Sequence, residues 1–571
     1  MPTIAEVRAQ LTGPGGMFEV LTEDVNGRPL QVYKDRMRSL RQVSEIGRAR
    51  GEQDFIAYGE RRYGFGPFVH TANGIARTLH EKFGVEPGDR VAVLAQNNPE
   101  WCLAFWATVN QDAILVGLNG WWKSDEILYA LEDSGAKVLV ADARRFERVA
   151  DHLDGARAVE HVFLIDAEPA TFGADPRLHR FDELTAEPSP ELPDTAIDED
   201  DPAVIFYTSG TTGRPKGAIS THRSMIANLQ NTMFNAVAGA MAGGGALPGG
   251  LGGQNVALLT SPLFHVSGCH SGLVVGMLAG LKLVIPEGRF DPGEALRLIE
   301  EHQVTVWATV PTMIWRVCEH PRRHECDTSS VVSVAYGGSP SADELQRKVR
   351  ETFPNIRSTA NAYGLTESSS VATVASGDDA ARKPESVGPP VPTVEIRIAD
   401  ATGRPLPAGA TGEVLIRGPI LMPGYWNNPE ATAAAIDEEG WLHSGDIGHL
   451  DDEGFLFITD RAKDMIIRGG ENVYCVEIEN RLVEHPDIAD AAVIGVPHPE
   501  LGEEVKAVVQ VEPGASITAG DVREWVGAAL ANFKVPAHVE IRTDPLPRNA
   551  SGKLLKNVLR GEGEVTFDET L

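Results

Sequence analysis

The run Tyr207-Thr-Ser-Gly-Thr-Thr-Gly-Arg-Pro-Lys-Gly217 concentrates glycines, hydroxyl groups and a single lysine in one short stretch. That composition suits a loop that grips an anion. Gly210, Gly213 and Gly217 let backbone N–H groups approach closely, Thr208, Ser209, Thr211 and Thr212 add hydroxyl donors, and Lys216 adds a point charge. A Walker A loop would follow its lysine with Ser or Thr and open a helix, whereas Lys216 is followed by Gly217 and a strand-like Ala-Ile-Ser. The P-loop reading is therefore rejected. Taken alone, the run reads equally well as a phosphate grip or as a Gly/Ser/Thr-rich turn.

Further polar clusters follow it: Ser261-Pro-Leu-Phe-His265, Tyr336-Gly-Gly-Ser-Pro340, Asn361-Ala-Tyr-Gly-Leu-Thr-Glu367, His443-Ser-Gly-Asp446, Asp460-Arg-Ala-Lys-Asp464 with Gly469-Gly-Glu-Asn472, and Pro547-Arg-Asn-Ala-Ser-Gly-Lys553. With the phosphate run, this ordered set resembles the adenylate-forming (AMP-binding) superfamily, which includes acyl-CoA synthetases, adenylation domains of peptide synthetases and beetle luciferases. The resemblance covers roughly residues 50–560 and favours the acyl-CoA synthetase branch.

The resemblance implies a reaction in which a carboxylate attacks the α-phosphate of ATP and pyrophosphate leaves. Two anions must meet, so charge neutralisation and alignment dominate catalysis. It places Thr208, Ser209, Gly210, Thr211, Thr212, Gly213 and Lys216 on the phosphates, and Gly338, Ser339, Pro340, Asn361, Tyr363, Gly364, Thr366 and Ile458 around the nucleotide. Asp446 falls on the ribose hydroxyls, with Arg461 beside it. Thr208 and Glu367 are implied ligands of Mg²⁺, a hard cation that takes few protein ligands. Lys553 is the implied bridge between the attacking carboxylate and the α-phosphate, a task suited to a compact ammonium on a long stem. Lys463 matches the hinge about which a C-terminal domain turns, Gly469 and Gly470 match the passage for the pantetheine arm of CoA, and His265 matches a gate and thioester-step residue. Read without that context, His265 suits a core histidine, Glu367 a surface carboxylate and Lys553 a solvated charge.

These groups need a scaffold. A helical pattern over 68–83, a strand over 90–95, a helix over 99–109 and a strand over 113–117 alternate as in a layered α/β unit, and a second unit starts at 201–206 and feeds the phosphate run. Residues 387–416 read as a small β-rich subdomain. The stretch from 464 to about 560 has its own strands and helices. The fold class is α/β: a large N-terminal domain over 1–462 of layered α/β sheets plus the β-rich subdomain, and a small mobile α+β domain over 463–571. Residues 1–45 carry weak periodicity and no assignable role. The glycine-rich run 239–253 reads as a surface loop, or alternatively as cover for an acyl entrance.

At 571 residues the chain is too long for one core, which agrees with several domains. The net charge of −30 disfavours nucleic acid and anionic membranes as partners, so nucleotide binding must rest on local donors. Five cysteines without a CxxC pair fit packing in a reducing compartment and argue against a disulfide framework or zinc site. The N-terminus lacks an apolar signal region, and the apolar stretch 272–285 contains Lys282 and is too short to span a bilayer. A cytoplasmic enzyme using ATP, Mg²⁺ and CoA is expected, with a homodimer possible.

The acid is not written in a motif. The candidate pocket walls, 226–233, 267–272 and 336–338, lack an Asp or Lys that would pair an ammonium or a second carboxylate, which favours a medium- or long-chain fatty acid or a bulky alicyclic one. No aromatic gate follows His265, and Trp121-Trp122 either pack in the core or rim a lipophilic pocket. Two alternatives stay open: transfer of the acyl group to a carrier protein, and a nucleotide-binding module without turnover. A luciferase-type oxygenase shares the expected fold.

Overall fold

The computed structural model describes residues 4–208, 214–242, 253–337, 343–469, 471–549 and 552–562. Short β-branched runs alternating with helices build two large sheets. The first has seven strands, in the order Lys216–Thr221, Pro202–Thr208, Ile114–Gly117, Arg90–Leu94, Val138–Asp142, His161–Ile165 and Leu178–Arg180, parallel except at the first pair. The second has eight: Thr373–Ser376, Ser358–Tyr363, Ser333–Gly337, Val306–Thr309, Val256–Leu258, Lys282–Ile285, Asp54–Tyr58 and Arg61–Gly64, parallel except at its two edges.

One core joins the two sheets. Val91 and Val93 of the first and Phe55 and Leu283 of the second share a buried cluster with Phe65, Phe68, Trp101, Phe105 and Trp106 from the helices Phe65–Phe83 and Pro99–Asn110. The helix Pro99–Asn110 is buried on every side, which explains its nearly charge-free sequence. Its start is fixed by Pro99 in the first turn and by the Asn98 side chain, which accepts the Trp101 N–H at 2.8 Å.

The expected β-rich subdomain is an antiparallel sheet of Glu395–Ala399, Gly412–Arg417, Leu442–Leu450 and Leu456–Arg461. The smaller C-terminal domain has five strands, Glu471–Val473, Ile466–Arg468, Gly502–Val511 and Ile488–His498 in that order, with His538–Arg542 added parallel to Gly502–Val511. Ile478, Leu482, Val522 and Val526 from its helices close a separate core over Val493, Val505, Ala507 and Val509.

Residues near the N-terminus, left without a role by their weak periodicity, form a helix Ile4–Thr12 and a hairpin of Val20–Val25 with Arg28–Tyr33. Both dock on the long helix His222–Ala242. Val7 and Leu11 pack with Phe234 and Ala238, and the Tyr33 hydroxyl donates to Asn231 Oδ1 at 2.7 Å in a buried contact. Their partners lie some two hundred positions away, so local periodicity carries little of the signal.

Part of the glycine-rich run is helical rather than loop. Residues 239–242 complete the helix His222–Ala242, while 243–252 lie outside the described residues. The tryptophan pair splits: Trp122 is buried in the seven-stranded sheet's outer core, whereas Trp121 stays partly exposed with the Arg289 guanidinium 5.9 Å from its ring centroid. The cysteines are free thiols, four of them buried. The apolar stretch 272–285 is divided between helical turns and the strand Lys282–Ile285. No helix among the described residues is long and apolar enough to cross a membrane.

Candidate active site

The phosphate run connects two antiparallel strands. Thr208 ends Pro202–Thr208, Lys216 opens Lys216–Thr221, and the two are register partners, so the loop springs from a closed hairpin base. Ser209, Gly210, Thr211, Thr212 and Gly213 lie outside the described residues, as do Gly338, Ser339, Pro340 and Gly470. The Thr208 hydroxyl donates to the Lys216 carbonyl at 3.4 Å, and Lys216 Nζ stands 5.3 Å from the centroid of the Tyr425 ring.

Tyr425 was not singled out from the sequence. It reaches the site because 424–426 run alongside the strand leaving the loop: Trp426 N–H donates to the Gly217 carbonyl at 2.7 Å, and Ala218 bridges Tyr425. Its hydroxyl donates to Glu367 Oε1 at 2.8 Å, linking the phosphate hairpin to the acidic turn. Burial and the Glu367 carboxylate push the Tyr425 phenol well above its ordinary range, so it stays a donor.

The acidic turn follows the strand Ser358–Tyr363. Gly364 is required there: a Cβ at that position would lie 1.5 Å from the Ser370 carbonyl oxygen. The chain then makes the short helical turn Thr366–Ser368, with the Ser368 hydroxyl accepting the Leu365 N–H at 2.9 Å, and Ser369 and Ser370 continue with positive φ of 50° and 119°. Asn361, on the same strand, is buried and donates to the Ser386 carbonyl at 3.2 Å.

A second carboxylate faces this strand. Asp446 is 3 % exposed, accepts from the Tyr363 hydroxyl at 2.7 Å and pairs with Arg461 Nε at 3.0 Å. Arg461 is also its register partner across the antiparallel sheet. Ile458 lies on the same strand as Arg461, opposite Gly448, and is packed against that sheet's core.

Lys553 comes from the far end of the chain. Its loop is held by reciprocal bonds with Asn549, the Lys553 N–H donating to Asn549 Oδ1 and the Asn549 N–H to the Lys553 carbonyl, both at 2.9 Å. Arg548, also not singled out from the sequence, ties this loop across the domains. It donates to the Gly552 carbonyl at 2.7 Å, to Thr312 Oγ1 at 3.3 Å, and pairs with Asp490 at 2.7 Å. Lys553 is thereby half-buried among Arg461, Asp446, Glu367 and Lys463. Desolvation first, and then Arg461, hold its ammonium down to about 8 against the pull of Asp446 and Glu367.

His265 caps a short helical turn: its Nδ1 accepts the Ser267 N–H at 3.3 Å and lies 3.0 Å from the Ser267 hydroxyl. Burial and then the neighbouring Lys553 charge bring its pKa down to about 3, so the ring is neutral here. Lys463 is exposed, just before Asp464, whose carboxylate pairs with Arg560 at 3.0 Å. Gly469 sits in a hairpin turn at φ 60° and donates to the Leu501 carbonyl at 2.8 Å; no hydrogen bond among the described residues joins it to the other site residues. The structure therefore brings together Thr208, Lys216, Glu367, Tyr363, Asp446, Arg461, His265 and Lys553, and leaves Gly469 apart.

The described groups thus set Lys216 at the base of the loop, the buried Asp446 carboxylate paired with Arg461, and the Lys553 ammonium between Asp446 and Glu367. The family model for AMP-binding enzymes matches residues 45–426, and that for the AMP-binding enzyme C-terminal domain matches residues 477–553. A feruloyl-CoA synthase of Amycolatopsis sp. is 36% identical over 478 residues, 84% of this chain and 89% of that protein. A 3-[(3aS,4S,7aS)-7a-methyl-1,5-dioxo-octahydro-1H-inden-4-yl]propanoyl:CoA ligase of Mycobacterium tuberculosis (strain ATCC 25618 / H37Rv) is 38% identical over 490 residues, 84% of this chain and 90% of that one. Among solved structures, the o-succinylbenzoate CoA synthetase of Bacillus subtilis in complex with its acyl-adenylate intermediate superposes with a TM-score of 0.75 at 29% identity, covering 92% of this chain and 98% of that one.

Proposed function

The chain belongs to the family of AMP-binding enzymes, as an ATP-dependent, AMP-forming acid–CoA ligase, and on that premise we propose that it activates a bulky, ring-bearing lipophilic acid and hands it to CoA. The observation that carries the reading is the convergence of Lys553 with Asp446 and Glu367. The acid class is supported by candidate pocket walls without a formal charge and by the ring-bearing acids named for the two curated relatives.

In the first step the acid's carboxylate oxygen attacks the α-phosphorus of ATP, the bond to the bridging oxygen breaks, and pyrophosphate leaves. Lys553 neutralises the two anions as they approach, while the phosphate hairpin with Lys216 receives the departing charge. Asp446, fixed by Tyr363 and Arg461, accepts from the ribose hydroxyls and sets the nucleotide's position. Glu367 and Thr208 fit Mg²⁺: Tyr425 occupies Glu367 Oε1, leaving Oε2 without a partner among the described residues, and the Thr208 hydroxyl offers a further oxygen. The ion would supply charge neutralisation on phosphate oxygens.

In the second step the CoA sulfur attacks the acyl carbon and AMP leaves. We place the boundary between a body over 1–462 and a mobile domain over 463–571 at Lys463, so that Lys553 withdraws and Gly469 and Gly470 approach the site. A cytoplasmic location accords with the free thiols.

Mass analysis of the product from ATP, CoA and a panel of aryl, alicyclic and fatty acids tests this assignment. The reading predicts acyl-CoA from ring-bearing acids. Adenylates that form but discharge only onto an acyl carrier protein would overturn the choice of acceptor.

A further inference from the structure

A cation that bridges two reacting anions tolerates little displacement: a misplacement of about 1 Å can cost about a hundredfold in rate. Lys553 nevertheless rides on a loop. The base of that loop belongs to the C-terminal domain, where Leu546 and Leu554 pack with Ala492 and Val508 and the Leu555 N–H donates to the Pro547 carbonyl at 2.9 Å. Its tip is closed by the Gly552 N–H, which donates to the Asn549 carbonyl at 2.9 Å, with Gly552 in the left-handed region at φ 81°. These bonds set the loop's shape. They do not set where the tip stands over the large domain.

The seat for the tip lies at the end of a strand of the eight-stranded sheet. The strand Val306–Thr309 runs into the helix Pro311–Cys318, and Val310 and Thr312 stand at that junction. Gly552 rests against both, since a Cβ there would lie 3.2 Å from Val310 Cγ2 and 3.8 Å from Thr312 Oγ1. Arg548 Nη1 donates to Thr312 Oγ1 at 3.3 Å and to the Gly552 carbonyl at 2.7 Å, so one nitrogen spans the loop tip and the large domain.

The other arm of the guanidinium is anchored within the C-terminal domain. Nη2 pairs at 2.7 Å with Asp490 Oδ2 on the strand Ile488–His498, and Asp490 Oδ1 is itself held by the Ala491 N–H at 2.9 Å. The guanidinium is planar with its donors in a fixed fork, so anchoring Nη2 also aims Nη1. An arginine that served only as a brace for its own loop would need Asp490 and the Gly552 carbonyl alone. The bond to Thr312 reaches into the other domain.

Resting on the two-step ligase reading above, we propose that Arg548 is a positioning residue for adenylation: held by Asp490, it seats the Lys553 loop on the Val310–Thr312 junction through Thr312 Oγ1, and it leaves that seat when the C-terminal domain turns for the CoA step. Arg548 touches no substrate, and no covalent bond is made or broken at it.

The test measures acid-dependent ATP–pyrophosphate exchange and, separately, thioester formation from supplied acyl adenylate and CoA, in the wild type, Thr312→Val, Thr312→Ser, Arg548→Gln and the double variant of Thr312→Val with Arg548→Gln. Thr312→Val keeps the side chain's volume and removes the acceptor. It should lower kcat for exchange by about tenfold, with little change in KM for ATP or acid, and leave thioester formation near the wild-type rate. Thr312→Ser retains the hydroxyl and should recover most of the loss. Arg548→Gln should lose at least as much as Thr312→Val, and the double variant no more than Arg548→Gln alone, because both changes remove the same contact. Wild-type exchange in Thr312→Val, a loss confined to KM, or equal loss in both steps overturns the proposal and leaves Arg548 as a brace within its own domain. A wild type without acid-dependent exchange would instead refute the ligase reading itself. If Arg548→Gln fails to fold by thermal melting, the two Thr312 variants decide.

Discussion

The Tyr363 hydroxyl donates to Asp446 Oδ2 at 2.7 Å, and this contact joins the end of a strand in the eight-stranded sheet to a strand of the small antiparallel sheet. A residue expected only to lie around the nucleotide thus also orients the carboxylate that the resemblance assigns to the ribose. Tyr363→Phe keeps the ring and removes the orienting bond. A net loss of about 1–2 kcal/mol is expected, read as a roughly tenfold higher KM for ATP with little change in KM for CoA. Equal effects on both would assign the bond to stability alone.

Gly364 prepares the turn that carries Glu367. Because a Cβ there would meet the Ser370 carbonyl, Gly364→Ala must move one of the two backbones. Loss of about 2 kcal/mol or more in denaturant titration, together with weaker acid-dependent adenylation, is expected. An unchanged midpoint would show that the turn has slack.

Lys553 has a pH signature in both activity and stability. Its pKa in the folded chain lies near 8 and its ordinary value is 10.5, so between these pH values the unfolded chain binds more protons. The penalty for burying the charge is therefore present below about pH 8 and fades as pH rises to 10.5. Lys553→Met should be more resistant to denaturant than the wild type at pH 7, and the difference should shrink by pH 10. In the wild type, kcat/KM for adenylation should fall above about pH 8, since the charged form does the work.

Withdrawal of Lys553 should change His265. The ring is held neutral by burial and by the Lys553 charge, so Lys553→Ala should raise the His265 pKa from about 3 toward its ordinary range. Histidine NMR titration of the two variants, with His265→Gln to assign the signal, checks this. No upward movement would mean that burial alone sets the ring's state.

Much of the scaffold was legible because it rests on local patterning. The helix expected over 68–83 is Phe65–Phe83, and the strand expected over 90–95 is Arg90–Leu94. The strands and helices expected without bounds over 464–560 include the helix Ala519–Gly527 and the strand Ile488–His498, whose pairing with Gly502–Val511 continues past its apolar centre. Lys553, Glu367 and Asp446 stood out through their motifs. Tyr425 and Arg548 did not, since each acts through a partner distant in sequence, Glu367 for one and Thr312 for the other. The N-terminal helix and hairpin were illegible for the same reason.

That N-terminal docking makes a separate claim on stability. Tyr33→Phe removes the donor to Asn231 Oδ1 in a buried setting, and a loss of about 1 kcal/mol or more in denaturant titration is expected. Deleting residues 1–34 would expose Phe234 and Ala238, which lose their cover from Val7 and Leu11, and should cost more.

Acid-dependent ATP–pyrophosphate exchange without CoA is the most direct measurement of the central claim. The wild type should exchange label into ATP only when a cognate acid is present, and Lys553→Ala should lose this by at least about a hundredfold while still forming thioester from supplied acyl adenylate. Exchange that ignores the acid, or a Lys553→Ala enzyme that loses both steps equally, would contradict an account in which Lys553 serves adenylation and then leaves.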